Sequence, residues 1–180
     1  MERIEGVRLA LRLVAPEDAA FIHGLRLDPR YNTHLSAVTG SVADQHQWIE
    51  RYKVREAAGT EYYYVIERLD NGRACGVVRL YEIEGDQFTW GSWILNEDKP
   101  PKAALESAVL SFGAAFNRLN LKFGAVDVRK GNHRALHFYE RFNMTRVSED
   151  HQNIYFTYSV EKFRQDAGDH LRAIGAEDTQ

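Results

Sequence analysis

The chain has a single cysteine, Cys75, among 180 residues. An internal disulfide and a thiolate metal cluster are therefore both out of reach, which fits a reducing cytoplasm. A basic surplus is missing too, since the formal net charge is −3. Binding along a nucleic-acid backbone needs many cations. Nucleic acid is thus excluded as a general partner, while a small anion held by one local set of donors stays allowed. No uninterrupted apolar stretch approaches the length of a membrane span. The first residues include Glu2, Arg3, Glu5, Arg8 and Arg12, so there is no apolar signal core. Repeats and low-complexity tracts are also absent. The expectation is a cytoplasmic protein that engages neither membrane nor nucleic acid.

What is present is an ordinary globular balance, 44% hydrophobic and 27% charged residues, with length enough for one sizeable core. Residues 7–14 alternate like a strand. Pro16, followed by acids, opens a helix over 16–28. Residues 29–40 have the composition of a loop. Ser41 and Asp44 form a capping-box pattern for a helix to about Arg55. Strands follow at 61–69, 73–84 and 87–95, joined by turns at Asn71-Gly72 and Gly85-Asp86. An apolar stripe from Ala104 to Leu119 predicts a helix over 103–119. Then come a strand at 123–129, a helix from about Asn132 to Phe142, and a closing strand over 153–163. The polar residues 164–180 form a tail in which Phe163, Ala167, Leu171 and Ile174 have the spacing of a short amphipathic helix.

The order β-α-α-β-β-β-α-β-α-β-β predicts an α/β protein. It has one mixed sheet of six to seven strands with helices on both faces, in a single domain over 1–163. The strands flanking the helix at 103–119 should run parallel near the middle of the sheet. A helix N-terminus between two such strand ends suits an anion.

Residues 132–144 read "NHRALHFYERFNM". Ala135, Phe138, Tyr139 and Phe142 share one helix face, and Asn132 is a natural N-cap. Spacing alone describes a capped helix with a half-buried tyrosine. In its context of strand, helix and final hairpin, the run resembles the N-x-x-A-x-x-(F/L)-Y-x-x-x-G-F pattern of the GNAT acyl-CoA N-acyltransferases. The likeness extends over roughly residues 7–160. Asn132, Ala135, Phe138 and Tyr139 match. Asn143 stands where glycine is usual, and asparagine tolerates the left-handed backbone of a helix stop.

The resemblance implies acetyl-CoA as co-substrate. No metal is expected, because His133 and His137 have a metal-ligand spacing but neither the glutamate of H-E-x-x-H nor a third ligand accompanies them. By the resemblance Asn132 and Phe138 contact CoA, and Tyr139 protonates the departing thiolate. A phenol with pKa ~10 suits that role, being protonated at neutral pH. Backbone N–H groups near Trp93, Ile94 and Leu95 polarise the acetyl carbonyl. The family's (Q/R)-x-x-G-x-(G/A) phosphate loop aligns with Lys99-Pro100-Pro101-Lys102-Ala103-Ala104. Its prolines remove donors and Lys102 replaces a glycine, while Lys99 and Lys102 add charge beside the pyrophosphate. The residues alone equally describe a Pro-started helix with solvated lysines.

The resemblance implies an amine acceptor, expected to be a small molecule. Glu82 is either a general base or a solvated edge carboxylate. Asp127, a charge inside an apolar strand, faces substrate or pairs with Arg79 or Arg129. Tyr31, Asn32 and His34 lie in a loop that borders the acceptor site in the family. Two subgroups are nearest: enzymes that acetylate nucleotide-linked amino sugars, and those that acetylate protein N-termini, including ribosomal proteins. The tryptophans of "WGSW" and the stretch "GVVRLYEI" favour the first. A nucleotide sugar would call on Arg30, Arg79 or Arg129 for its diphosphate and on a flat ring for aromatic contact. The altered loop keeps a non-catalytic acyl-CoA-binding module as an alternative, and a homodimer stays open.

Overall fold

The computed structural model describes residues 3–34 and 40–175. Its strands are β1 (Ile4–Glu5), β2 (Leu9–Leu13), β3 (Tyr62–Arg68), β4 (Ala74–Glu84), β5 (Gln87–Leu95), β6 (Phe123–Arg129), β7 (Thr145–Glu149) and β8 (Asn153–Ser159). Its helices are α1 (Ala19–Leu27), α2 (Pro29–Asn32), α3 (Val42–Ala57), α4 (Ala103–Gly113), α5 (His133–Arg141) and α6 (Val160–Gly175). All eight strands form one sheet in the order β1-β2-β3-β4-β5-β6-β8-β7.

Local signals fix most of these boundaries. Ser41 Oγ accepts from the Asp44 N–H, and Asp44 Oδ2 accepts from the Ser41 N–H, closing the capping box of α3. Gly72 and Gly85 take the positive φ that their hairpin turns require. Three expectations are corrected. The two-residue β1 adds an eighth strand, too short for an alternation to reveal. Pro29–Asn32, read as loop, is a turn of helix that Asp28 caps by accepting from the Arg30 N–H at 2.9 Å. The closing strand ends at Ser159 and not at 163, because the inward alternation Ile154, Phe156, Tyr158 gives way there to helical spacing. In α6 the buried positions are Val160, Phe163, His170 and Ile174, while Leu171 is 61% exposed and leaves the expected stripe.

The sheet separates two apolar cores. Leu9, Leu11, Tyr64, Ile66, Val78, Leu80, Phe88 and Trp90 face α4, α5 and α6. Tyr63, Val65, Val77 and Ile94 face α1 and α3. Glu106 of α4, 2% exposed, ties the first core to the amino-terminal strands. Its carboxylate accepts from the Arg8 and Leu9 N–H groups at 2.8–3.1 Å. Among the described residues the α1/α3 face lacks a helical cover from β6 onward, and Phe123, Ala125, Asp127 and Arg129 are exposed on it. Among the described residues no helix is long and apolar enough to cross a membrane.

Candidate active site

Among the described residues β5 and β6 are the one parallel pair in the sheet, as expected, and they pair only over Gln87–Thr89 with Phe123–Ala125. Beyond Thr89 and Ala125 the strands lose their ladder, which opens a cleft in the sheet's middle. On the β5 lip, Arg79 pairs with Gly91 and Val77 with Ile94, so Val78 alone opposes Ser92 and Trp93. This is a β-bulge, with Ser92 at φ 48°. It interrupts ladder bonding where the sequence reading places the carbonyl-polarising N–H groups. Trp93 is half-buried, Ile94 turns into the α1/α3 core, and Leu95 turns back toward α4.

Two indoles hold β5 against α4. The Trp90 Nε1–H donates to Ser111 Oγ at 2.8 Å, and the Trp93 Nε1–H to Ser107 Oγ at 3.0 Å. Ser107 and Ser111 are one helical turn apart, so they present one face. The tryptophans of "WGSW" therefore brace the cleft: Trp90 is 1% exposed and cannot offer a face to an acceptor.

α5 supplies Tyr139 to the cleft. Its ring packs against Trp90, Phe156 and Phe138, with centroids 6.0, 5.7 and 6.0 Å away. Its hydroxyl makes no hydrogen bond with any described residue. Burial first, then the Asp127 carboxylate and Tyr81, raise its pKa above the usual tyrosine value. The group is held as a neutral donor with its proton uncommitted. Asn132 caps α5, its Oδ1 accepting from the Ala135 N–H at 3.3 Å, which leaves its amide hydrogens available. Asn143 ends the helix at φ 74°, the left-handed stop anticipated for it.

On the other side of the cleft, α4 begins at the Lys-Pro-Pro-Lys loop. Lys102 is its N-cap and takes φ 61°, the left-handed conformation for which glycine is the low-cost residue. The loop thus keeps a glycine-like path without the glycine. The Lys102 ammonium is directed to α6, where it donates to the Ala173 carbonyl at 2.6 Å. This corrects the picture of two lysines facing a pyrophosphate: Lys99 is exposed, and Lys102 is engaged elsewhere. The first-turn N–H groups of Ala104 and Leu105 have no helical carbonyl to bond. Ala103 is buried beneath them, its N–H bonded to Pro100 O at 3.3 Å. A groove of about 700 Å3 starts there, lined by Lys102, Ala104, Leu105, Phe138, Arg141 and Asn143, with α6 as its far wall. First-turn N–H groups at the head of a groove whose walls mix apolar Leu105, Phe138 and Phe142 with charged Glu140, Arg141, Asp166 and Asp169 fit a pyrophosphate joined to an amide-bearing pantetheine arm.

The acceptor candidates divide. Glu82 sits at φ 50° in an irregular end of β4, exposed, and accepts from Thr89 Oγ1 at 3.2 Å. Asp127 is exposed on the open face and pairs with neither Arg79 nor Arg129. Tyr31 donates to Glu97 at 2.7 Å, and Asn32 Nδ2 donates to Leu27 O at 3.2 Å, so both serve the α1–α2 corner. Arg30 is held by Asp28 and Glu97. His34 packs toward Gly131, beside the N-terminus of α5. Residues 35–39 of the same loop lie outside the described residues.

Sequence reasoning missed Tyr81 and Trp48. The Tyr81 ring lies over Gly91, where a Cβ would come within 3.1 Å of its hydroxyl. Arg79 stacks on that ring at 3.9 Å and reaches Trp48 at 5.8 Å. Nothing local in the sequence brings α3 to β4, so only the period-two pairing of Arg79 with Tyr81 was available as a signal.

Comparison with known proteins agrees with this geometry. The family model described as acetyltransferase (GNAT) domain matches residues 8–145. The chain is similar to the apo structure of FdhC, a nucleotide-linked sugar GNAT, at 38% identity and a TM-score of 0.88, over 95% of this chain and 97% of that one. The spermidine N-acetyltransferase of Vibrio cholerae, solved with CoA and spermine, shares the fold at 20% identity and a TM-score of 0.74, over 87% of this chain and 98% of that one. RimL, a ribosomal L7/L12 α-N-protein acetyltransferase solved with coenzyme A, does so at 15% and 0.76, over 89% and 99%. Among curated proteins none matches. With its splayed β5–β6 pair, bulged lip and family match over most of its length, the chain belongs to the GNAT family and is an N-acetyltransferase.

Proposed function

We propose that the protein transfers the acetyl group of acetyl-CoA to the primary amine of a nucleotide-linked amino sugar. One observation carries this reading: the near full-length likeness, at 38% identity, to a structure described as a nucleotide-linked sugar GNAT. The polyamine and ribosomal-protein enzymes share the fold at 20% identity or less, which bears on architecture alone.

The residues would act as follows. The first turn of α4 receives the pyrophosphate, and Asn132 and Phe138 border the pantetheine arm. The bulge at Ser92–Trp93 points backbone N–H groups at the thioester carbonyl and stabilises the oxyanion that forms when the amine nitrogen attacks. As the C–S bond breaks, the sulfur takes the proton of the Tyr139 hydroxyl. The surplus proton of the new ammonium leaves on the open face, where Asp127 and Glu82 stand. A proton returned from solvent restores Tyr139.

Release of CoA thiol, measured across nucleotide-linked amino sugars, free amino sugars, N-terminal peptides and spermidine, tests the acceptor. Turnover of nucleotide-linked amino sugars well above the rest is expected. Turnover confined to peptides or polyamines overturns the reading.

A further inference from the structure

Three buried side-chain atoms lack a hydrogen-bond partner among the described residues: His23 Nδ1, Tyr63 Oη and Arg79 Nε. Two of them meet in one place. Tyr63 and Arg79 are direct cross-strand partners in the β3–β4 ladder and share the α1/α3 face. Tyr63 is 1% exposed. Burying a polar group without a partner is costly, so such groups are rare unless something outside the chain satisfies them.

The surroundings define what that is. Arg79 is half-buried, and three rings hold it: Tyr81 at 3.9 Å, Trp48 at 5.8 Å and Tyr63 at 6.0 Å. No described carboxylate pairs with it. By contrast, Arg12 binds Asp18 and Glu67, Arg68 binds Asp70, and Arg55 takes the nearby carboxylate of Glu61. Arg26 of α1 is a second cation acting on the Tyr63 hydroxyl. The Arg79 Nε–H and the Tyr63 hydroxyl are donors awaiting an acceptor. The fork is already ordered by its rings, which lowers the entropy cost of binding.

We propose that Arg79 and Tyr63, with Trp48 and Tyr81 as flat walls, form the anion-anchoring subsite for the acceptor, taking a phosphate or diphosphate joined to the amine-bearing group. Arg79 stands directly across the ladder from Gly91, next to the bulge. An anion held there keeps its attached amine beside the reacting carbonyl. The choice of a diphosphate rests on the acceptor reading above, and the experiment separates the two.

Calorimetric titration of inorganic pyrophosphate and of uridine diphosphate is made into protein saturated with CoA, which occupies the other diphosphate site. The wild type should bind both. Arg79→Gln should weaken both at least tenfold while leaving the Kd for CoA within twofold. Tyr63→Phe, which keeps the ring, should weaken them by a few-fold. Arg79→Lys keeps the charge without the fork and should fall between wild type and Arg79→Gln. It carries the test with Tyr63→Phe if Arg79→Gln does not fold. No binding by the wild type, or equal binding by all variants, overturns the subsite. Binding that depends on Arg79, with no turnover of any nucleotide-linked amino sugar, overturns the acceptor reading and leaves the subsite standing. Turnover of those sugars with an unchanged acceptor KM in Arg79→Gln does the reverse.

Discussion

The Lys102 ammonium donates to the carbonyl oxygen of Ala173, joining the N-cap of α4 to the last turn of α6. Arg8 supports the same helix end by donating to Ile174 O at 2.8 Å. Two cations thus sit at a helix C-terminus, where the backbone dipole favours them. The expected effect of Lys102→Gly is small. Relief of the left-handed backbone gives about 1 kcal/mol, and loss of the tie removes about as much. Lys102→Ala loses the tie and keeps the strain, so it should be less stable than Lys102→Gly by about 1 kcal/mol. Urea midpoints measure the difference. The KM for acetyl-CoA should stay within a few-fold in both variants, and a tenfold rise would return the ammonium to the phosphate.

Tyr139→Phe should lower kcat by about 100-fold or more with little change in the KM for acetyl-CoA. Because the hydroxyl has no hydrogen bond to lose, the melting temperature should not fall. Its pKa is raised, so the proton is retained throughout the range below the ordinary tyrosine value of about 10. The wild-type rate should therefore show no basic limb from this group below about pH 10. An unchanged kcat in Tyr139→Phe removes the acid assignment.

Glu106→Ala should leave the Arg8 and Leu9 N–H groups buried without an acceptor and cost about 3–5 kcal/mol. Glu106→Gln retains one acceptor oxygen and should cost roughly half as much. Urea unfolding with an unchanged slope checks both.

His170 stacks on Phe142 at 4.4 Å, and its Nε2 lies 3.3 Å from the Tyr158 hydroxyl. Burial lowers its pKa, against the pull of Asp166 and Asp169. A base with a folded pKa below its unfolded value of about 6.5 takes up its proton first in the unfolded chain. Stability should therefore be full above pH ~6.5 and decline as pH falls through the lower folded value. His170→Phe keeps the stack and should flatten that decline. A slope identical to wild type between pH 6.5 and 5 would assign it to other groups.

The alternation of Tyr63, Val65 and Val77 against Tyr64, Ile66 and Val78 made the central hairpins legible, and β6 lies over 123–129 as its apolar pattern indicated. The N-cap at Asn132 and the left-handed stop at Asn143 were legible because their chemistry is local. Lys102 was read as an obstacle for want of its backbone angle, a property set by how the loop packs. The acceptor side was the least legible part. Trp48, Tyr63, Arg79 and Tyr81 come from a helix and two strands, and their meeting depends on strand register and helix placement together. The end of β8 was misread because Val160 and Phe163 suit a strand and a helix equally until their partners are known.

The bulge at Ser92 also sets the bookkeeping of the whole strand. Before it, the even-numbered Phe88 and Trp90 face α4; after it, the odd-numbered Trp93 and Leu95 do, while Ile94 enters the opposite core. Deleting Ser92 would bring a single residue opposite Val78 and close the ladder, leaving Trp93 toward α4 and Ile94 in the opposite core. Such a shortening would therefore keep both cores and remove only the interruption that frees backbone N–H groups at the cleft. The chain length between Trp90 and Ile94 is thus a parameter of the enzyme in its own right, independent of which residues fill it.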